Sequence, residues 1–186
     1  MRRTIRGVMA AAGLGVLAAC GAAQQGTATA GARPREFTVP IYGANGQQVG
    51  TFTATQTSAE AVRLVVESSG LTEGVHGTHL HAVGRCEAPE FTTAGAHLNP
   101  TTRQHGMRNP QGPHLGDLPN LVVTANGRGR MEATVRGSLT AGQAPLFDAD
   151  GTALVVHASA DDQVTDPSGN SGARIACGVM AAPTGG

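Results

Sequence analysis

From Arg35 onward, apolar and polar residues alternate in short runs that turn residues interrupt. Phe37, Val39 and Ile41 alternate with Thr38 and Pro40, and the run leads to Asn45-Gly46. That dipeptide favours hairpins because Asn and Gly tolerate positive φ. Similar runs cover Val49–Thr55, Ala61–Glu67, Thr78–Val83 and Leu121–Thr124, the last meeting Asn126-Gly127. Gly129–Val135, Thr152–His157 and Arg174–Val179 complete eight candidate strands. No segment after residue 20 sustains a helical period over a dozen residues, so side chains alternate between faces rather than wind around an axis. The pattern predicts an all-β domain over residues 35–186, an antiparallel eight-stranded sandwich or flattened barrel.

Two connections break the rhythm. Residues 84–116 and 158–173 are far longer than hairpin loops, which usually run about 2 to 5 residues. Long loops on a rigid scaffold are where binding and catalysis concentrate. These two hold nearly all the distinctive chemistry of the chain.

Ahead of the domain the text differs. Arg2, Arg3 and Arg6 precede an uncharged run from Gly7 to Cys20, which reads as a secretory signal over residues 1–19, too short to span a membrane. Residues 20–34 have little worth burying and read as a flexible tether. The whole chain balances 13 basic against 13 acidic side chains, but removal of the signal takes three arginines and leaves 10 − 13 = −3. A weakly acidic surface without a basic stripe argues against nucleic acid as a partner.

Of the three cysteines, Cys20, Cys86 and Cys177, two can pair in an exported protein and one is left over. Leu17-Ala18-Ala19-Cys20-Gly21 resembles a bacterial lipobox. In such signals the cysteine carries lipid and anchors a soluble domain to a membrane surface. The alternative is cleavage nearby, with Cys20 discarded or free. The expected location is the cell envelope, with the domain facing the periplasm or the exterior.

The seven histidines are His76, His79, His81, His97, His105, His114 and His157. In a strand, His79 and His81 project from one face while Leu80 points to the other. Two neighbouring neutral imidazoles suit copper, zinc or nickel rather than magnesium or calcium, although such pairs also occur on exposed sheet faces. The loop that follows strengthens the reading. His97, His105, His114 and Asp117 are spaced 8, 9 and 3 residues apart, and a three-His, one-Asp set suits a closed tetrahedral zinc site.

Five blocks then carry a resemblance. His76-Gly77-Thr78-His79-Leu80-His81, Ala94-Gly95-Ala96-His97-Leu98-Asn99-Pro100, Gly112 to Asn120, Val155-Val156-His157 and Gly169 to Val179 resemble, in order, the successive motifs of the copper/zinc superoxide dismutase family. The resemblance implies a Greek-key barrel. It implies copper on His79, His81, His97 and His157, and zinc on His97, His105, His114 and Asp117, with His97 shared. It further implies a Cys86–Cys177 disulfide and Asp161 linking a copper histidine to a zinc histidine. The plain alternative for Asp161 is a solvated loop acid. His76 matches a hydrogen-bonding histidine near copper that is not a ligand. Thr78 stands where an aromatic residue is usual, which puts local packing in question.

Arg174 matches the guanidinium that docks superoxide beside copper, against the alternative of a brace for the loop. The implied reaction passes one electron in each direction at copper, releasing dioxygen and then hydrogen peroxide, with His97 carrying a proton. The loop 158–173 has Asp161, Asp162 and Asp166 but no Lys or Arg, so steering of the anion is expected to be weaker than in relatives whose loop carries lysines. A metal-binding module without turnover, storing or delivering copper on the same fold, is the alternative function. An immunoglobulin-like domain lacks its buried Trp, since the chain has none. A homodimer is left open.

Overall fold

The structure is a computed structural model that describes residues 35–141 and 145–181. The proposed signal, the tether and Cys20 lie outside the described residues. Among the described residues nine strands form: β1 Glu36–Gly43, β2 Gln48–Ser58, β3 Ala61–Ser69, β4 Gly74–His76, β5 Thr78–His81, β6 Leu121–Val123, β7 Arg128–Arg136, β8 Thr152–His157 and β9 Arg174–Met180. All ladders are antiparallel, in the order β4-β6-β7-β3-β2-β1-β9-β8-β5. The two ends of that order, β4 and β5, are separated in sequence by Gly77 alone. One bent segment therefore brings the sheet round to a nearly closed barrel. This accounts for nine strands where the alternation predicts eight: the run at Thr78 extends backward through a bend.

Gly77 makes the bend possible. A Cβ there would stand 2.8 Å from that of Ser171 and 3.2 Å from that of Asp161, inside ordinary contact distance. Its own amide donates to Ser159 O at 2.8 Å, and its carbonyl accepts from His157 N at 2.9 Å. Both predicted hairpin turns form, with Gly46 at φ 76° and Gly127 at φ 75°.

The even-numbered positions of β2, β3 and β8 line the interior. Phe52, Ala54, Val62, Leu64, Val66, Leu154 and Val156 pack there with Leu80, Leu121 and Ala176. β8 is buried on both faces, as its unbroken apolar run requires. Its outward residues Ala153 and Val155 join Phe91, Ala94 and Cys177 in a second small core beneath the first long loop. Burial of Phe91 contributes about 1.5–3 kcal/mol to holding that loop down. The Cys86–Cys177 disulfide, spanning 91 residues, adds roughly 4–5 kcal/mol in the chain-entropy account.

The loop also hydrogen-bonds along β5. Leu80 N donates to Gly116 O at 2.8 Å, Leu98 N to Leu80 O at 2.8 Å, and Gly116 N to Leu98 O at 2.9 Å. Three separated chain segments thus share one strand edge. A Cβ on Gly116 would collide with the carbonyl of Leu80 and stand 3.0 Å from Leu98 N. Gly116→Ala is therefore expected to destabilise the metal-free, disulfide-intact protein by about 1–3 kcal/mol. Chemical denaturation compared with the parent measures it, and an unchanged midpoint would mean that the loop does not depend on this close approach.

Candidate metal centre

β5 carries His79 and His81 on its outer side, with Leu80 fully buried on the inner side. β8 delivers His157 at its end, just past a register shift between Val156 and His157. Each ring has one nitrogen anchored. His79 Nε2 donates to Asp161 Oδ2 at 2.9 Å, His81 Nδ1 to Gly95 O at 2.9 Å, and His157 Nδ1 to Gly172 O at 3.1 Å. The opposite nitrogens, His79 Nδ1, His81 Nε2 and His157 Nε2, are buried without a hydrogen-bond partner. Ligand atoms of these three residues and His97 lie within 4.8 Å of one another. Buried polar atoms are rarely left unpaired. Three lone pairs aimed into one small space are what a metal ion would satisfy.

A second group is built on Asp117. Its Oδ1 stands 3.0 Å from His97 Nδ1, 2.9 Å from His105 Nδ1 and 3.2 Å from His114 Nδ1, and the last two-ring separation, His97 Nδ1 to His114 Nδ1, is 3.4 Å. Ligands at zinc distances in a tetrahedron stand about 3.3 Å apart, so the donor set fits. The other oxygen of Asp117 accepts from Gly106 N at 2.8 Å and His114 N at 2.9 Å, which fixes the carboxylate. His79 also comes within 4.8 Å of His97, His105 and Asp117, because its ring stacks on His97 at 4.0 Å between centroids. His97 thus belongs to both groups, with its Nδ1 beside Asp117.

Asp161 ties the two together. Its Oδ2 meets His79 Nε2 and its Oδ1 meets His105 Nε2 at 3.0 Å. It is 3% exposed, which excludes the solvated loop acid. Asn120 holds it through reciprocal 2.9 Å contacts with its backbone N–H and carbonyl. His76 packs behind, reaching His157 O at 2.7 Å and Thr72 O at 3.1 Å. Thr78 is fully buried, and its hydroxyl donates to Pro119 O at 2.6 Å. A hydrogen bond replaces the aromatic packing expected there.

Charge separates the groups in the metal-free protein. Burial lowers His79, and it pushes His81 down to about 2, His157 to about 3 and His97 to about 4, the last despite its Asp117 contact. Burial also opposes a proton on His105, but Asp117 and Asp161 on its two nitrogens prevail and raise it to about 9. Although burial works the other way, hydrogen bonds to His105 hold both carboxyls well below the usual carboxylate range.

A cleft of about 580 Å³ opens over the first group, lined by His81, His97, His157, Arg103, Asp166 and Arg174 among others. Arg174 is held by two loop carbonyls, Phe91 O at 2.8 Å and Gly95 O at 2.7 Å. It is therefore braced by the loop and also presented to the cleft. Arg103, which donates to Gly112 O at 2.8 Å, was passed over by sequence reasoning, and Asp166 was counted only as a charge of the second loop. Their nearness in sequence to His105 and Asp161 was the available signal.

Comparison with known proteins agrees with this geometry. The family model described as copper/zinc superoxide dismutase matches residues 48–180. The chain is similar to Superoxide dismutase [Cu-Zn] of Caulobacter vibrioides, 40% identical over 149 residues, covering 77% of this chain and 84% of that one. It is similar to Superoxide dismutase [Cu-Zn] 1 of Aquifex aeolicus, 38% identical, covering 75% and 84%. Among solved structures, a double mutant of a SOD-like protein from Bacillus subtilis superposes with a TM-score of 0.71 at 37% identity, covering 78% of this chain and 97% of that one.

The protonation pattern generates a prediction. A metal on His105 must displace a proton whose pKa is about 9, whereas His81, His157 and His97 are already free of protons above about 4. Zinc affinity is expected to rise about tenfold per pH unit between roughly pH 6 and 9, with copper affinity nearly flat. Chelator competition across that range measures both, and equal slopes for the two metals would contradict the assignment.

Proposed function

The chain belongs to the copper/zinc superoxide dismutase family, and we propose how its residues divide the work of converting superoxide to dioxygen and hydrogen peroxide. It is an oxidoreductase that uses copper and zinc. Copper would be held by His79, His81, His97 and His157, and zinc by His97, His105, His114 and Asp117. The observation that carries this reading is the position of His97, whose Nδ1 lies among the Asp117 group while the residue also belongs, within 4.8 Å, to the group of His79, His81 and His157. Bound copper supplies one-electron exchange in both directions, which zinc lacks.

The protein's own groups do the rest. Anchors on His79, His81 and His157 leave a single free nitrogen on each ring and fix its direction, as outer contacts do at metal sites generally. His97 Nε2, when released from copper, would be the group that holds a proton for the departing peroxide, with the second proton coming from water in the cleft. The stacked His79 ring and the Asp117 contact at Nδ1 keep His97 in place, and bound zinc would add to that hold. Asp161 couples the groups, since one carboxylate orients a copper histidine and a zinc histidine. Arg174, with its terminal nitrogens spread over two carbonyls, is held rigid on the cleft wall. There it docks the anion and offsets the charge that develops on peroxide.

Steering has to be local, because the processed chain would carry −3. Arg103 and Arg174 attract at the cleft while Asp166 opposes them, which supports a rate that depends weakly on salt. Arg174→Ala is expected to lower the second-order rate at least about tenfold with both metals retained, the loss of one charge-assisted contact. Rapid-mixing kinetics on protein of verified metal content tests it. A change below about twofold would remove the docking role.

The Leu17-Ala18-Ala19-Cys20 motif supports export and lipid attachment at Cys20, with the enzyme held in the cell envelope on the periplasmic or outer side. Gly21 in place of Asp favours the outer membrane. Cys20→Ser is expected to abolish labelling by fatty acid and release active enzyme from the membrane fraction. Labelling that persists in the variant would refute the anchor.

A further inference from the structure

The ligand assignment leaves one carboxylate at the site without a task. Asp166 lies five residues beyond Asp161 in the second long loop. Its Oδ1 accepts the backbone N–H of His105 at 2.7 Å across 61 residues of chain. The same oxygen lies 3.9 Å from Nε2 of His114. Its side chain is 51% exposed on the wall of the copper cleft, so it is not a buried remnant of core packing.

The loop delivers this carboxylate rigidly. Asp162 Oδ1 accepts from Val164 N at 2.9 Å and Thr165 N at 2.8 Å, and its Oδ2 accepts from Asn170 at 2.9 Å. Gly169 N donates to Thr165 O at 2.7 Å. Asp161 and Asp166 thus stand on one internally braced turn, and both reach His105, one at the ring and one at the backbone.

We propose that Asp166 is a positioning residue of the zinc group, an inference that rests on the ligand reading above. Together with Asp161 it clamps His105 from two directions, at ring Nε2 and at the peptide N–H. It also sets a negative charge opposite the outer nitrogen of His114. When Nδ1 of a histidine binds a metal, Nε2 carries the proton, and a carboxylate facing that N–H orients the ring and increases its basicity. At 3.9 Å the effect on His114 acts through charge rather than through a direct hydrogen bond. The second loop therefore completes the zinc site from outside, although it supplies no zinc ligand.

The test uses the full processed protein, depleted of metal and titrated with zinc under chelator competition and with cobalt(II), whose visible bands report ligand geometry. Asp166→Ala is expected to weaken zinc binding by about tenfold to a hundredfold and to shift the cobalt bands, with copper affinity within twofold of the parent. Asp166→Asn keeps an oxygen for the His105 amide but removes the charge, so it is expected to recover part of the loss. Parent-like zinc affinity and cobalt spectrum in Asp166→Ala would overturn the proposal. Equal losses in the Ala and Asn variants would overturn the clamp on the His105 amide. A parent protein that takes up no cobalt would overturn the ligand assignment, and the proposal with it.

Discussion

A cluster of buried imidazoles is tolerable only if every ring nitrogen has a partner, and that constraint organises this molecule. His79, His81 and His157 each donate one N–H to a fixed acceptor, Asp161, Gly95 O or Gly172 O. The acceptors belong to the two long loops rather than to the barrel. Folding the loops onto β5 and β8 therefore selects the tautomers, and the tautomers aim the free nitrogens. Without the loops the same histidines would stand on an open sheet face.

The barrel in turn is what lets the loops stay put. β8 is buried on both sides, with its inner residues in the main core and its outer residues under Phe91 and the Cys86–Cys177 bridge. The first loop pairs with the edge of β5 through Leu98 and Gly116. The second loop crosses Gly77 closely enough that no side chain fits between them. Rigidity of the site is thus assembled from backbone contacts and a small apolar core.

Charge is distributed to match. His81 and His157 are neutral rings kept unprotonated by burial, whereas His105 is shared by two carboxylates, Asp117 and Asp161. On the proposed assignment, one group offers the lone pairs of neutral rings to a redox-active ion. The other offers a formal charge to a closed-shell cation. Asp161 spans both, so occupancy of one group is felt at the other through a single rigid carboxylate. Arg174 sits over this arrangement as the fixed positive group facing the cleft.

Much of this was legible in the chain itself. Period-two alternation set the strands, Asn-Gly pairs set two turns, and His79-Leu80-His81 put two imidazoles on one face because strand geometry is local. The order and spacing of the histidine blocks identified the family. Other features depended on contacts between residues far apart in sequence. The alternation did not show β4, which Gly77 joins to β5 through a bend where Ser171 and Asp161 approach from the opposite end of the chain. The resemblance had already marked Asp161 as a link between histidines, but Asp166 was only one of the loop acids until folding placed it on the amide of His105. Arg103 became a wall of the cleft in the same way. Local periodicity determines which face a side chain leaves from; only the closed barrel, by bringing two long loops together, decided which side chains meet.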